Sequence, residues 1–255
     1  MGWTISLANQ KGGVGKSTTA QALWAGLHLK GYRVLLIDID PQGNTTYTVG
    51  ITSTTSTAYE LLTRKAHVKD TIVNTPNGDI IPSNKQLIKL DLELISTGKE
   101  YKLKEALETV KEEYDFIVID TPPALGILTV NALTASDNLI IPAQAEIYSL
   151  QGIGDLYDTI NAVKKYCNPN LKIKGILLTR HNSRTILSRD MFELIGDIAR
   201  QINTFVYKTI IREGVVIKEA QASQRDIFTY SFKSNVSKDY LSFINEFLER
   251  NDKDD

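Results

Sequence analysis

Two lysines stand five residues apart in one glycine-rich run, Lys11 and Lys16 in "ANQKGGVGKSTT" (residues 8–19). Successive backbone N–H groups in such a loop, followed by a helix N-terminus, can wrap around phosphate oxygens. Gly12, Gly13 and Gly15 permit the close approach and the unusual dihedrals, with Val14 between them. Lys16 would reach the terminal phosphates of a nucleotide, the Ser17 hydroxyl would ligate Mg²⁺, and Thr18 continues the site into the helix. The first glycine of the usual G-x-x-x-x-G-K-[ST] pattern is replaced by Gln10, so the motif is a deviant one. Lys11 is not needed for that work, and its presence asks for a second explanation.

Three carboxylates fall where such a loop would need them. Asp38 and Asp40 close "LLIDIDPQGN", and Asp120 closes "YDFIVIDTPP". Strand alternation points Asp38 and Asp40 to one side of a sheet, at its carboxyl end. Asp-Pro is also a common start of a turn. Two acids aimed at a phosphate loop would repel the phosphates unless a metal ion or a water intervened. Asp40 is therefore assigned to positioning the attacking water, and Asp38 to supporting Mg²⁺ through water. An apolar strand ending in an acid is the Walker B pattern, which gives Asp120 to the magnesium.

The elements that must hold these residues alternate strand and helix along nearly the whole chain. Strands are expected at 3–8, 33–38, 78–83, 115–120, 137–143, 173–179 and 205–210. Helices are expected at 16–30, 58–64, 86–95, 99–114, 149–166, 186–203 and 236–250, with a Thr-rich loop over 42–57. Such alternation implies an α/β fold: a single doubly wound, mostly parallel sheet with helices on both faces, of the P-loop NTPase type. One domain would run over 1–250, followed by an acidic tail at 251–255. Ligands of these sheets bind at the carboxyl ends of the strands, where the motifs fall.

Bulk composition narrows the classes. The chain has 255 residues, 42% hydrophobic and 23% charged, with a net charge of −1. No global basic field would pull it onto nucleic acid, so such binding needs a local patch. Cys167 is the single cysteine, which excludes an internal disulfide, and His28, His67 and His181 show no metal-ligand spacing. The apolar runs are strand-sized and no signal peptide is visible, so a cytoplasmic protein is expected.

The runs "KGGVGKSTT", "LLIDIDPQGN", "YDFIVIDTPPALGILTVNAL" and "DNLIIPAQAE" together resemble the ParA/Soj family of partition ATPases. The resemblance continues into "VYKTIIREGVVIKEA" and so covers nearly the entire chain. It implies ATP and Mg²⁺ as ligands and an ATP-bound homodimer. In such a dimer Lys11 is the signature lysine and touches the phosphates held by the partner. It further implies that Thr121-Pro122-Pro123 senses the γ-phosphate, and that Thr179, Arg180, Ile211 and Arg212 flank the adenine. One departure stands out. The family commonly reads I-P-R where this chain reads Ile211-Arg212-Glu213, which frees the backbone and reverses a charge.

Relatives that attach to membranes carry a basic amphipathic C-terminal helix, whereas this chain ends "YLSFINEFLERNDKDD". The apolar side of that helix (Leu241, Ile244, Phe247, Leu248) is expected to pack on the domain, and the acidic tail would be repelled by anionic lipid. Relatives in iron–sulfur chemistry need cysteines that are missing here. Between residues 180 and 238 ten basic side chains stand against six acidic ones. Arg189, Lys218 and Lys233 are the candidate contacts to DNA, nonspecific and phosphate-directed because no base-reading motif stands out. The function expected is an ATPase for DNA partition, stimulated by a ParB-type adaptor and associated with the nucleoid. A positioning ATPase for a protein cargo, or a nucleotide-switched interaction protein with negligible turnover, remain open at this level.

Overall fold

The structure, a computed structural model, describes residues 2–180 and 186–251. From the N-terminus, β1 (Trp3–Leu7) enters the glycine loop and α1 (Lys16–Leu29). Next, β2 (Val34–Asp38) leads to α2 (Asn44–Thr48), α3 (Ala58–Leu62) and α4 (Val68–Thr71). A hairpin of β3 (Val73–Thr75) and β4 (Gly78–Ile81) follows, then α5 (Leu90–Glu93) and α6 (Lys102–Leu107) with flanking 3₁₀ turns. The chain continues through β5 (Phe116–Asp120), α7 (Ile127–Ala135), β6 (Asn138–Ala143), α8 (Ile147–Tyr166), β7 (Lys172–Leu178) and α9 (Ile186–Gln201). It closes with α10 (Val215–Ala222), α11 (Ile227–Ser231) and α12 (Asn235–Asn251).

The seven strands lie in the order β3-β4-β2-β5-β1-β6-β7, all parallel except β3, which runs antiparallel to β4. The unbroken apolar strands are explained by their two covered faces. Val34, Leu36, Phe116, Val118, Ile140 and Leu177 face one core, with α1, α11 and α12. Their neighbours Leu35, Ile37, Ile117 and Ile119 face a second core with α3, α6 and α7, while Leu139, Ile141, Ile176 and Leu178 face a third with α8 and α9. Period-2 alternation thus splits each strand between two layers. The apolar side of α12 is spent on this packing: Phe243, Ile244 and Phe247 are buried in the first core, and Leu241 and Leu248 pack at its margin. Gly26 lets α1 approach α12, because a Cβ there would sit 2.2 Å from Ile244 Cδ1.

Several expectations are corrected. Residues 42–57 are not all loop, since they hold α2. Two helices expected at 86–95 and 99–114 are broken into short α and 3₁₀ pieces, with Gly98 at φ +79° between them. The strand expected at 205–210 reduces to an isolated bridge between Ile176 and Val206. Aromatic side chains at 205 and 207 have a packing role there: Phe205 and Tyr207 stack edge to face and cover Gly175. No amphipathic period marks α7, which is buried along most of its length, and α10 and α11 are likewise additions.

Candidate nucleotide-binding site

The glycine loop connects the carboxyl end of β1 to α1, in a chain conformation that only glycine adopts without strain. Gly13 and Gly15 have φ of +77° and +84°, and Gly15 is the N-cap of α1 with no side chain to occupy the amide groups. Side chains from neighbouring strand ends hold the loop's carbonyls on the outside. Gln144 Nε2 donates to Gly13 O at 3.0 Å, and Thr179 Oγ1 donates to Val14 O at 2.8 Å. Asn9 bridges Pro142 O (2.8 Å) and Lys11 N (2.9 Å), fixing where the loop departs from the sheet. With its carbonyls so engaged, the loop's N–H groups are left to face a ligand.

A cavity of about 610 Å³ opens above this loop. Gly12, Gly13, Gly15, Lys16, Ser17, Thr18, Asp40, Pro123, Thr179, Arg180 and Ile211 all line it. Residues expected from motifs as far apart in the chain as Gly12 and Ile211 are thereby brought to one place by the parallel sheet. Lys16 is 6% exposed; burial lowers its pKa, against the raising influence of Asp120 and Asp40. Its Nζ meets Lys11 O at 3.2 Å. Lys11 itself does not line the cavity, and its ammonium forms an ion pair with Glu146, at the start of α8.

Asp38 and Asp120 are register partners on adjacent strands, and both are fully buried. Burial, then the charge of Asp120, pushes the Asp38 carboxyl up to about 8, although Thr46 and Asp40 N–H donate to it. Burial raises Asp120 to about 6, partly opposed by the hydrogen bond from Thr45 and by the Ser17 hydroxyl nearby. Its Oδ1 is a buried acceptor with no hydrogen-bond partner. A pair of desolvated carboxylates with an orphaned oxygen, beside a serine hydroxyl, fits a hard divalent cation with oxygen ligands. Asp40 lies on the cavity side: its Oδ1 accepts Gln42 N at 3.0 Å, leaving Oδ2 for another partner.

Thr45 and Thr46 carry no motif, yet they connect these acids. Thr45 Oγ1 donates to Asp120 Oδ2 at 2.7 Å and accepts from Gln21 Nε2 at 3.1 Å. Thr46 Oγ1 donates to Asp38 Oδ2 at 2.7 Å and accepts Ser83 N at 2.8 Å. The five-residue α2 is thus suspended from the two buried carboxylates. Thr-rich composition hides this from sequence, because Thr is a poor helix former.

At the far wall one expectation changes. Ile211 is buried at the cavity, but Arg212 turns away into a bidentate pair with Asp239, at 2.7 and 2.8 Å. Glu213 lines the cavity in its place. Lys218, expected on a DNA surface, is exposed and also lines the cavity mouth; Lys233 is exposed elsewhere, and the Arg189 side chain lies outside the described residues.

A family model described as "AAA domain" matches residues 2–173. The sporulation initiation inhibitor protein Soj of Bacillus subtilis is 43% identical over 251 residues, covering 96% of this chain and 98% of its own. The chain belongs to the ParA/Soj family of P-loop ATPases. Two solved structures share its fold. A putative plasmid partition protein of Borrelia burgdorferi bound to AMPPNP shares 31% identity over the full length of both chains, with a TM-score of 0.80. Cobyrinic acid a,c-diamide synthase of Mycobacterium smegmatis, with a bound ATP analogue and magnesium, shares 33% identity over 96% of this chain and 93% of its own, with a TM-score of 0.83.

Proposed function

We propose that this ParA-like ATPase is a DNA-partition ATPase that binds ATP with Mg²⁺, pairs with a second copy of itself and retains DNA only in that state. Hydrolysis, stimulated by a ParB-type adaptor, would release the DNA. The placement of its two lysines carries this reading. Lys16 points into the cavity, whereas Lys11 lines no part of it and rests on Glu146 at the surface. A cation held at the rim of one site, on a loop shaped for phosphate, suits a role in the site of a facing copy, as an arginine finger acts in trans.

Within one site the roles follow from chemistry. Lys16 and the loop N–H groups bind and orient the β- and γ-phosphates; Ser17, Asp120 and, through water, Asp38 would hold the metal. Magnesium, when bound, neutralises charge developing on the transferred phosphoryl group. Asp40 Oδ2 accepts a hydrogen bond from the attacking water and orients it toward the γ-phosphorus. Pro123, in the segment after β5, lines the same cavity and would respond to the γ-phosphate. DNA would meet the late basic segment, where Lys218 and Lys233 are exposed. No described helix is long and apolar enough to cross a membrane.

Lys11→Ala tests the reading. Monomers should still bind ATP, while ATP-induced dimers and turnover disappear, as followed by light scattering and a phosphate-release assay. Normal ATP-dependent dimers in that variant would make Lys11 a plain loop residue.

A further inference from the structure

The run Ile211-Arg212-Glu213 departs from the family's I-P-R, and its geometry gives the departure a use. With Arg212 held by Asp239, the next side chain faces the cavity. Glu213 Oε1 accepts from Arg180 Nη2 at 3.0 Å, and Arg180 Nη1 donates to Gly13 O at 3.3 Å. The guanidinium therefore braces the carboxylate against the phosphate loop itself, across the end of β7 and the lead into α10. That bracing leaves Glu213 Oε2 without a hydrogen bond among the described residues. Ile211, Ile217 and Ala222 add apolar surface to the same cavity, suited to a flat ring.

We propose that Glu213 is a specificity-determining residue that reads the exocyclic amino group of the nucleotide base, with Arg180 as the residue that positions it. A carboxylate can only accept hydrogen bonds, so it favours a base presenting an N–H donor. Adenine offers its 6-amino group; a purine without that group turns a C–H toward the charge and forfeits a charge-assisted bond. Pairing with Arg180 matters because it spares one carboxylate oxygen and fixes the direction of the other. Both side chains are partly exposed, at 42% and 62%, so the discrimination is moderate rather than absolute.

This inference rests on the nucleotide reading above, and the test separates the two. Calorimetric titration would compare ATP with purine riboside triphosphate, which has hydrogen in place of the 6-amino group. For the unaltered protein, ATP should bind on the order of tenfold more tightly. Glu213→Ala should bind the two nucleotides equally, Glu213→Gln should keep part of the preference, and Arg180→Ala should narrow it. Equal affinities in the unaltered protein, or a preference that survives Glu213→Ala, would overturn the base-reading role while leaving the phosphate site standing. If no triphosphate binds, and Lys16→Ala changes nothing, the nucleotide reading itself falls.

Discussion

Asp40 and Asp38 lie two residues apart, yet their surroundings assign them different work. Asp38 is fully buried and accepts from Thr46 and Asp40 N–H, so it would reach a metal only through water. Asp40 keeps an oxygen for the cavity. Asp40→Ala should leave ATP bound and slow turnover by about a hundredfold, the usual scale for a positioned acid–base group. The ATP dimer should then persist, visible as a stable high-mass species in gel filtration. Loss of ATP binding in that variant would place Asp40 among the metal or structural residues.

The buried acids also set a pH dependence. Both carboxyls are raised in the fold, Asp38 to about 8 and Asp120 to about 6, so unfolding releases protons across that range. A raised acid lowers stability as pH climbs from its unfolded value toward its folded one. Thermal unfolding of the nucleotide-free protein should therefore show a falling midpoint from about pH 5 to about pH 8. Adding ATP with Mg²⁺ should flatten the trend, because a cation beside the carboxylates favours their ionised forms. A flat profile without nucleotide would show that the pair is not uncompensated.

At the scale of elements, α2 is the part whose position is decided by contacts rather than by propensity. It has no side-chain cap, and its N-cap Gly43 is left-handed at φ +63°. Thr46 ties it both to Asp38 and to the chain after β4, through Ser83. Thr46→Val keeps the shape but leaves Ser83 N–H and one Asp38 oxygen without that hydroxyl. The cost should be about 1–3 kcal/mol, as expected for a buried bond to a charged group. Thr46→Ser should recover most of it, and urea denaturation of both variants measures the difference. Because α2 follows directly on the Asp40 turn, Thr46→Val should also lower turnover more than ATP affinity.

At the scale of the whole molecule, the net charge of −1 means that the proposed DNA binding would rest on local surface and on dimerisation. Several late basic residues are already committed: Arg180 to Glu213, Arg212 to Asp239, and Arg250 to Glu246. Lys218 and Lys233 carry no ion pair among the described residues. If each subunit supplies about three phosphate contacts, the ATP dimer should bind unrelated duplexes with a log–log salt slope near about −5. Charge reversal at Lys233 should flatten the slope without changing ATP affinity. Fluorescence anisotropy across a salt series, with ATP and with ADP, measures both; equal binding in the two nucleotide states would redirect the function toward a protein cargo.

The residues gathered at the candidate site were legible in sequence because they depend on local order. Gly13-Val14-Gly15-Lys16-Ser17 between a strand and a helix, and acids ending apolar strands, come together wherever the sheet is parallel. The alternation itself was legible too, since strands buried on both faces must be short and continuously apolar. What sequence did not determine depends on long-range contacts. The position of α2 is fixed by its hydrogen bonds to Asp38, on the preceding strand, and to Asp120, on a strand far from it in the chain. The segment 205–210 pairs only through the single bridge at Val206, where Phe205 and Tyr207 pack over Gly175 at the sheet edge. Only the tertiary structure decided that Arg212 is spent on Asp239 while Glu213 faces the cavity. Nothing in the order of residues records which of two adjacent side chains meets its counter-charge across a fold.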